Sequence, residues 1–370
     1  MIIHKDCRYF KGNIPCKPHK EKWVHCKGCR FYQRVKKRIL IIKLDAVGDV
    51  LRTTSILHGL KEQHPDSYIL WFTRKESVPL FENNDLVDCV LDYSAESFLR
   101  VQSESYDIVI NPDADPKSAI IAESAKARSR IGFGYDARGY VYPLNKEAAR
   151  WFEMGLFDDM KKANTRTYQE IVFAILGLKT KNREIILNLS DKEKRFAQEF
   201  ARKNALQSGE MRIGLNTGAG RRWEKKQWTE EGFSRLIELM NKNIPNSRIL
   251  LYGGPEEKER NARLKKKHGG PLIDTGCENT IREFFSLVDL ADIFVTGDTL
   301  ALHAVTALRK KVVALFGPTS HAEIDLYGRG RKIYADINCL CCYKQTCDIS
   351  PSCMEQITAE MVFNAVKGLL

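Results

Sequence analysis

The strongest constraint in this chain is an alternation that occurs twice: short, almost wholly apolar runs separated by stretches long enough for a helix. The first series holds R-I-L-I-I-K-L-D (38–45), S-Y-I-L-W-F-T (67–73) and Y-D-I-V-I-N (106–111), and G-D-V-L-R-T-T-S-I-L-H-G-L-K (48–61) reads as the helix after its first run. The second holds M-R-I-G-L-N (211–216), R-I-L-L-Y-G-G (248–254), A-D-I-F-V-T-G (291–297) and K-K-V-V-A-L-F-G (310–317), with helical patterns over 229–241, 255–267, 279–290 and 299–309. Strands apolar at nearly every position are buried on both faces, as in a parallel sheet covered by crossover helices. The pattern predicts an α/β fold of two doubly wound, Rossmann-like domains, joined near 180–210 by way of a more polar helical stretch at 164–206. A last helix, T-A-E-M-V-F-N-A-V-K-G-L-L, follows a group of cysteines, and no repeat of solenoid period is present.

Charge and cysteine are concentrated rather than spread. Residues 1–38 hold 12 Lys/Arg against two Asp/Glu, whereas the other 332 residues hold 47 against 45. The net charge of +12 is therefore almost entirely a property of the leading segment. That segment also carries Cys7, Cys16, Cys26 and Cys29, and residues 339–353 carry five more of the eleven cysteines. There is no apolar run of transmembrane length and no apolar stretch of signal-peptide type near the amino terminus, so the expected location is cytoplasmic. In that compartment clustered cysteines suggest metal ligands before disulfides.

Ligands of doubly wound sheets bind at the carboxyl ends of the strands, where loops lead into helices. Three such loops are informative. In L-D-A-V-G-D-V-L-R-T-T (44–54), Asp45 ends the strand, Gly48 permits a tight turn and Asp49 opens the helix, with Arg52 three residues on. Asp49 reads either as an N-cap or first-turn charge complementing the helix dipole or as a general base reaching an acceptor hydroxyl. In N-T-G-A-G-R-R-W-E-K-K-Q-W (216–228), Gly218 and Gly220 expose backbone N–H groups, and Arg221, Arg222, Lys225 and Lys226 suit a diphosphate; a solvated loop is the plainer alternative. In V-T-G-D-T-L-A-L-H-A-V-T-A-L (295–308), followed by V-V-A-L-F-G-P-T, Asp298 or Thr299 stands at a helix cap and His303 about one turn further. Capping accounts for one of those residues, and a phosphate site accounts for the whole unit. Asp113 and Asp115 read as a turn or helix start rather than a cation pair, and Ile131–Gly134 as a turn.

Taken in order, these motifs resemble glycosyltransferase family 9, the ADP-heptose-dependent heptosyltransferases of lipopolysaccharide core assembly. The resemblance spans about 38–370 and rests on I-L-I-I-K-L-D-A-V-G-D-V-L-R-T-T, G-A-G…K-K-Q-W, L-L-Y-G-G-P-E-E and T-G-D-T…H…V-V-A-L-F-G-P-T as a set. It implies a GT-B architecture with the active site in the cleft between the domains, and inverting transfer that needs no divalent metal. It places Asp49 as the catalytic base, with Asp45, Gly48 and Arg52 around the acceptor. Gly218, Arg222, Lys226, Glu256 (or Glu257 beside it), Asp298, Thr299 and His303 would bind the nucleotide sugar. One position departs: Leu300 stands where the family's loop carries glycine.

The expected organisation is a basic cysteine-rich segment (1–37), an acceptor domain (38–180), a nucleotide-sugar domain (181–338), a cysteine cluster (339–353) and a terminal helix (354–370) crossing back to the first domain. The expected donor is an ADP-sugar, ADP-heptose or a relative. The expected acceptor is a hydroxyl of lipopolysaccharide core, another surface glycan or a protein Ser/Thr. Cys339, Cys342, Cys347 and Cys353, and separately Cys7, Cys16, Cys26 and Cys29, have spacing for structural zinc, iron or an iron–sulfur cluster, with His4, His19 and His25 as substitutes; a group related to the resembled family carries cysteine-bound iron. Tyr9, Phe10, Trp23, Phe31 and Tyr32 interleave with the leader's cations. That composition gives a rival reading, a metal-stabilised nucleic-acid binder, and a third use for the charge, contact with an anionic membrane surface.

Overall fold

The structure is a computed structural model, and it describes residues 2–220, 225–270 and 272–370. Two six-stranded sheets form the body. The first comprises β1 (Lys37–Ile42), β2 (Ser67–Thr73), β3 (Cys89–Asp92), β4 (Ser105–Asn111), β5 (Lys126–Tyr135) and β6 (Val141–Pro143), in the order β3-β2-β1-β4-β5-β6. The second comprises β7 (Met211–Asn216), β8 (Ser247–Tyr252), β9 (Leu272–Asp274), β10 (Ile293–Gly297), β11 (Lys311–Phe316) and β12 (Gly330–Tyr334), in the order β12-β11-β10-β7-β8-β9. Every recorded pairing is parallel except β5 with β6. In both sheets the order reverses beside the first strand, between β1 and β4 and between β7 and β10, so each domain has one switch-point crevice.

Alternate side chains of the apolar strands feed two cores. Ile39 and Ile41 enter the cluster that holds Leu57, Trp71 and Phe173, whereas Leu40 and Ile42 enter the one with Phe72 and Val109. In β8, Ile249 and Leu251 join Leu236 and Val362, while Leu250 and Tyr252 join Phe294 and Phe316. Complete burial of each such side chain contributes about 1.5–3 kcal/mol, and the two-sided demand explains why these runs carry no polar alternation.

The structure departs from the sequence expectations in four places. The 48–61 helix is two helices, Val47–Thr53 and Ile56–Gln63. At the break the Thr54 hydroxyl donates to the Leu51 carbonyl (2.7 Å) and accepts from the Ile186 N–H (2.9 Å), and Ser55 donates to the Arg52 carbonyl (2.9 Å). The polar stretch divides into helices Tyr168–Leu176 and Asp191–Lys203, each opened by a capping box. Between them Ile185, Ile186 and Leu187 enter the first domain's core. The turn expected at 131–134 belongs to β5, where Gly132 sits at φ +101° with a would-be Cβ 1.9 Å from the Asn111 carbonyl oxygen. The terminal helix, Ala359–Lys367, was expected to return to the first domain. It lies instead on helix Glu230–Asn243, with Val362 and Val366 in the second domain's core, and the Trp228 indole donates to the Ile357 carbonyl (2.8 Å).

The leading segment has one short helix, Lys17–Lys22, and an antiparallel bridge between Cys7 and Arg34. It is fastened to the amino ends of the first sheet: Arg8 pairs with Asp88 and donates to the Ser67 carbonyl (2.8 Å), and Lys36 pairs with Asp66 (2.6 Å). Among the described residues no helix is long and apolar enough to cross a membrane.

Candidate active site

The first-domain half of the site is built by the loop leaving β1. Ala46 occupies the N-cap of helix Val47–Thr53 without a side-chain hydrogen bond, so Asp49 is not the cap. Its carboxylate pairs instead with Arg52 (2.7 Å), whose guanidinium is buried 3.9 Å from the centre of the Tyr168 ring. The Nε of Arg52 has no hydrogen-bond partner among the described residues. The Tyr168 hydroxyl shares a 2.7 Å hydrogen bond with Thr53. Asp45 is half exposed and accepts from the Ala46 N–H (3.2 Å) and from Lys43 (3.4 Å). Its burial works against ionisation, yet Lys43, the Ala46 N–H and Arg52 together hold the carboxyl below its ordinary value.

Beneath the loop, Lys43 and Asp113 form a buried pair, and Asp113 also accepts from the Leu44 N–H (3.1 Å). Burial pushes Asp113 up to about 6, with Lys43 pulling the other way. Asp115 turns away and caps helix Pro116–Ser124, accepting from the N–H groups of Lys117 (3.0 Å) and Ser118 (3.1 Å). The two aspartates therefore do different work, in keeping with a helix start.

The second-domain half comes from the loops leaving β7 and β10. Lys226 reaches the Asp298 carboxylate (2.9 Å), which also accepts from Thr319 (2.7 Å). Burial opposes charge on Asp298, and Lys226, His303 and Thr319 overcome it, leaving the carboxyl below its ordinary value. Thr299 caps helix Leu300–Ala307 by accepting from the Ala301 N–H (3.2 Å). Gly218 rests against Glu257: a Cβ at 218 would lie 2.7 Å from the Glu257 carboxyl carbon. Glu257 is buried and accepts from the Gly254 N–H (2.8 Å), whereas the neighbouring Glu256 is exposed. Arg222 lies outside the described residues.

The halves meet where helix Val47–Thr53 crosses helix Leu300–Ala307. A Cβ on Gly48 would stand 2.9 Å from the His303 ring and 3.4 Å from the Leu300 Cα, so the absence of a side chain permits the approach. His303 is buried in this contact. Burial first, and the Arg52 charge second, push its imidazole down to about 4 against the pull of Asp298 and Asp49. It is therefore neutral at physiological pH.

Sequence reasoning missed Glu323, which feels the charges of Arg52, Asp298 and Asp49 and accepts from the Tyr343 hydroxyl (3.3 Å). Burial raises its carboxyl above the ordinary value. Its carbonyl accepts from the Tyr168 N–H (2.9 Å), which ties the two domains. Neither Glu323 nor Tyr168 belongs to a motif; a lone acid downstream of G-P-T was the available signal for the former.

The cysteines are all free thiols. Cys353 is pushed up to about 11 by burial and then by Cys342, Cys339 and Cys347, so the second cysteine set is gathered around it. In the first set, the Cys29 N–H donates to the Cys26 carbonyl (3.2 Å) in a tight turn. Among the described residues, however, no group of three or more His, Cys, Asp or Glu side chains is arranged to hold a metal ion. The placed thiols do not fit a four-ligand site, and no step of the chemistry is routed through one.

The site thus combines an acid at a helix mouth on one side with a lysine, a helix N-terminus and a neutral imidazole on the other. That combination suits transfer of a group to an acceptor hydroxyl with a phosphate or diphosphate as the leaving group. A lipooligosaccharide heptosyltransferase 2 of Campylobacter jejuni is 21% identical over 341 residues, covering 87% of this chain and 96% of the relative. A family 9 glycosyl transferase from Veillonella parvula superposes with TM-score 0.77 at 19% identity, over 90% of this chain and 97% of that one. An ADP-heptose lps heptosyltransferase II of E. coli superposes with TM-score 0.67 at 19% identity, over 90% and 98%. Glycosyltransferase family 9 (heptosyltransferase) matches residues 97–352, more than half of the sequence, and the chain belongs to that family of sugar-transferring enzymes.

Proposed function

We propose that this enzyme transfers a heptose-like sugar from an ADP-sugar to a hydroxyl of a lipopolysaccharide-type surface glycan, with inversion and without a divalent metal. The observation that carries the proposal is the seating of the Asp49–Arg52 pair from one switch point beside His303 and Asp298 from the other, joined over Gly48. The nucleotide and the acceptor class are those named for the Campylobacter and E. coli relatives.

In the reaction Asp49 takes the proton of the acceptor hydroxyl as that oxygen bonds to the anomeric carbon. The bond from that carbon to the diphosphate breaks, and its electron pair leaves with ADP. Attack from the face opposite the leaving group gives inversion. Negative charge grows on the diphosphate, and Lys226 together with the N–H groups at the start of helix Leu300–Ala307 meets it there, a charge-stabilising role that a cation serves in other transferases. His303, kept neutral, offers a hydrogen bond without adding a second positive charge to the cleft.

The test is a donor and acceptor screen with the wild-type chain in EDTA. ADP-heptose is set against other ADP-, UDP- and GDP-sugars, and truncated lipopolysaccharide core against a Ser/Thr peptide, with the product anomer read by NMR. Transfer from ADP-heptose to the core with inversion supports the reading. Preference for another nucleotide, for the peptide, or a strict requirement for a divalent ion overturns the corresponding part.

A further inference from the structure

The leading segment takes no part in the cleft. It covers the amino ends of the first sheet, whereas Asp45 and Asp49 follow the carboxyl end of β1, a strand of six residues and so about 20 Å long. Its chemistry must serve something else. Lys5, Lys11, Lys20, Lys22, Lys27 and Arg30 are exposed, and none has a carboxylate within ion-pair distance among the described residues. Beside them stand four large apolar side chains left in solvent: Ile2 (54% exposed), Ile3 (49%), Ile14 (61%) and Trp23 (80%). Trp23 ends the short helix in the left-handed region, at φ 53°, with its indole outward. Within residues 2–37 Pro18 alone is buried, so these side chains are not the rim of a core.

From this pairing of cations that have no carboxylate partner with solvent-exposed aliphatic and indole groups we infer that the leading segment docks on an anionic lipid surface. The charge supplies long-range attraction to acidic headgroups, and Trp23 with the isoleucines supplies the apolar insertion that holds a protein at the interface. A soluble polyanion or a nucleic acid would be served by the cations and has no use for exposed isoleucine. A groove of about 850 Å³ between the segment and the starts of β1 and β4 extends the surface. Its lining holds seven Lys and Arg side chains against the three carboxylates of Asp6, Glu104 and Asp107, so the groove keeps an excess of positive charge suited to a headgroup phosphate. Docking there leaves the catalytic cleft open, because the cleft is at the other end of the strands. The inference is independent of the donor and acceptor assigned above.

The test is flotation of the full-length chain with vesicles of phosphatidylcholine alone and with vesicles in which about a third of the lipid is phosphatidylglycerol. The chain is expected to float with the anionic vesicles only, and to be released as salt rises from about 50 to about 500 mM. Lys20→Gln, Lys22→Gln and Lys27→Gln together should lower the partition coefficient about 100-fold, from the usual contribution of one cation at an acidic surface. Ile14→Ser with Trp23→Ser should lower it about tenfold or more. Both variants change exposed side chains, and an unchanged melting curve and unchanged ADP binding show that they fold. Failure to bind anionic vesicles at low salt overturns the inference. So does binding that the serine variant leaves intact, or tighter binding to a single-stranded RNA oligonucleotide than to the vesicles.

Discussion

His303 offers the sharpest quantitative check on the closed cleft. Its imidazole is 6% exposed and held at about 4, against an ordinary value of 6.5. The unfolded chain therefore binds a proton between those values that the folded chain refuses, and stability falls as pH drops through that window. The full loss, reached below about pH 4, is about 3 kcal/mol at ~1.4 kcal/mol per tenfold change in proton affinity; between pH 7 and pH 4.5 it is about 2.5 kcal/mol. Asp113 works the other way: burial raises its carboxyl from 3.8 to about 6, so the folded chain holds the extra proton and acidification through that range favours folding. The two terms offset each other in the wild-type profile, so the difference between variants carries the information. His303→Gln cannot titrate, and its urea unfolding free energy should lose about 2.5 kcal/mol less than wild type between pH 7 and pH 4.5. Parallel profiles for the two proteins, or an imidazole NMR resonance titrating near its ordinary value, would refute the buried contact between the domains.

The remaining predictions concern geometry. Asp49→Asn should lower kcat by about 10²–10⁴-fold while leaving ADP affinity by calorimetry near wild type, and turnover within threefold or so of wild type removes Asp49 as the base. Gly48→Ala places a methyl 2.9 Å from the His303 ring and 3.4 Å from the Leu300 backbone, so kcat/KM should fall about tenfold or more with the fold retained in circular dichroism; an unaffected enzyme denies the close crossing. Gly132→Ala brings a Cβ to 1.9 Å from the Asn111 carbonyl at φ +101°, and should lower unfolding stability by about 2–4 kcal/mol in urea titration; an unchanged midpoint contradicts the β5 conformation.

What could be read from the sequence follows from burial. β1 and β8 announce themselves because both faces are covered, so nearly every residue is apolar. β3 and β12 do not: they are short edge strands, partly exposed, and C-V-L-D or G-R-K-I-Y has no decisive pattern. β5 is hidden by its charged start and by two glycines, one of which exists for a backbone approach that only the folded sheet creates. The break at Thr54 was equally invisible, since the Ile186 N–H that its hydroxyl serves lies 132 positions along the chain. In the site, Asp49, Lys226, Asp298 and His303 belong to strand–loop–helix units that already stood out, Asp49 as a general base or a helix-start charge and the others for phosphate chemistry. Glu323, Tyr168 and Tyr343 enter from segments without a motif, brought in by the packing of one domain on the other.

The same packing accounts for the one departure from the resembled pattern. Leu300 occupies the first position of helix Leu300–Ala307, directly after the Thr299 cap, where a side chain turned toward the cleft would crowd a phosphate. It is partly buried against the first domain's core cluster, beside Ala304 and Ala307 of its own helix, so its bulk goes into the domain contact. The Leu300 Cα stands opposite Gly48, the position at which the facing helix has no side chain. Bulk on one side and its absence on the other are complementary, and the cap that orients the helix N–H groups is made by the Thr299 hydroxyl whatever follows it. The leucine therefore tightens the seam between the domains and leaves the charge-stabilising end of the helix intact.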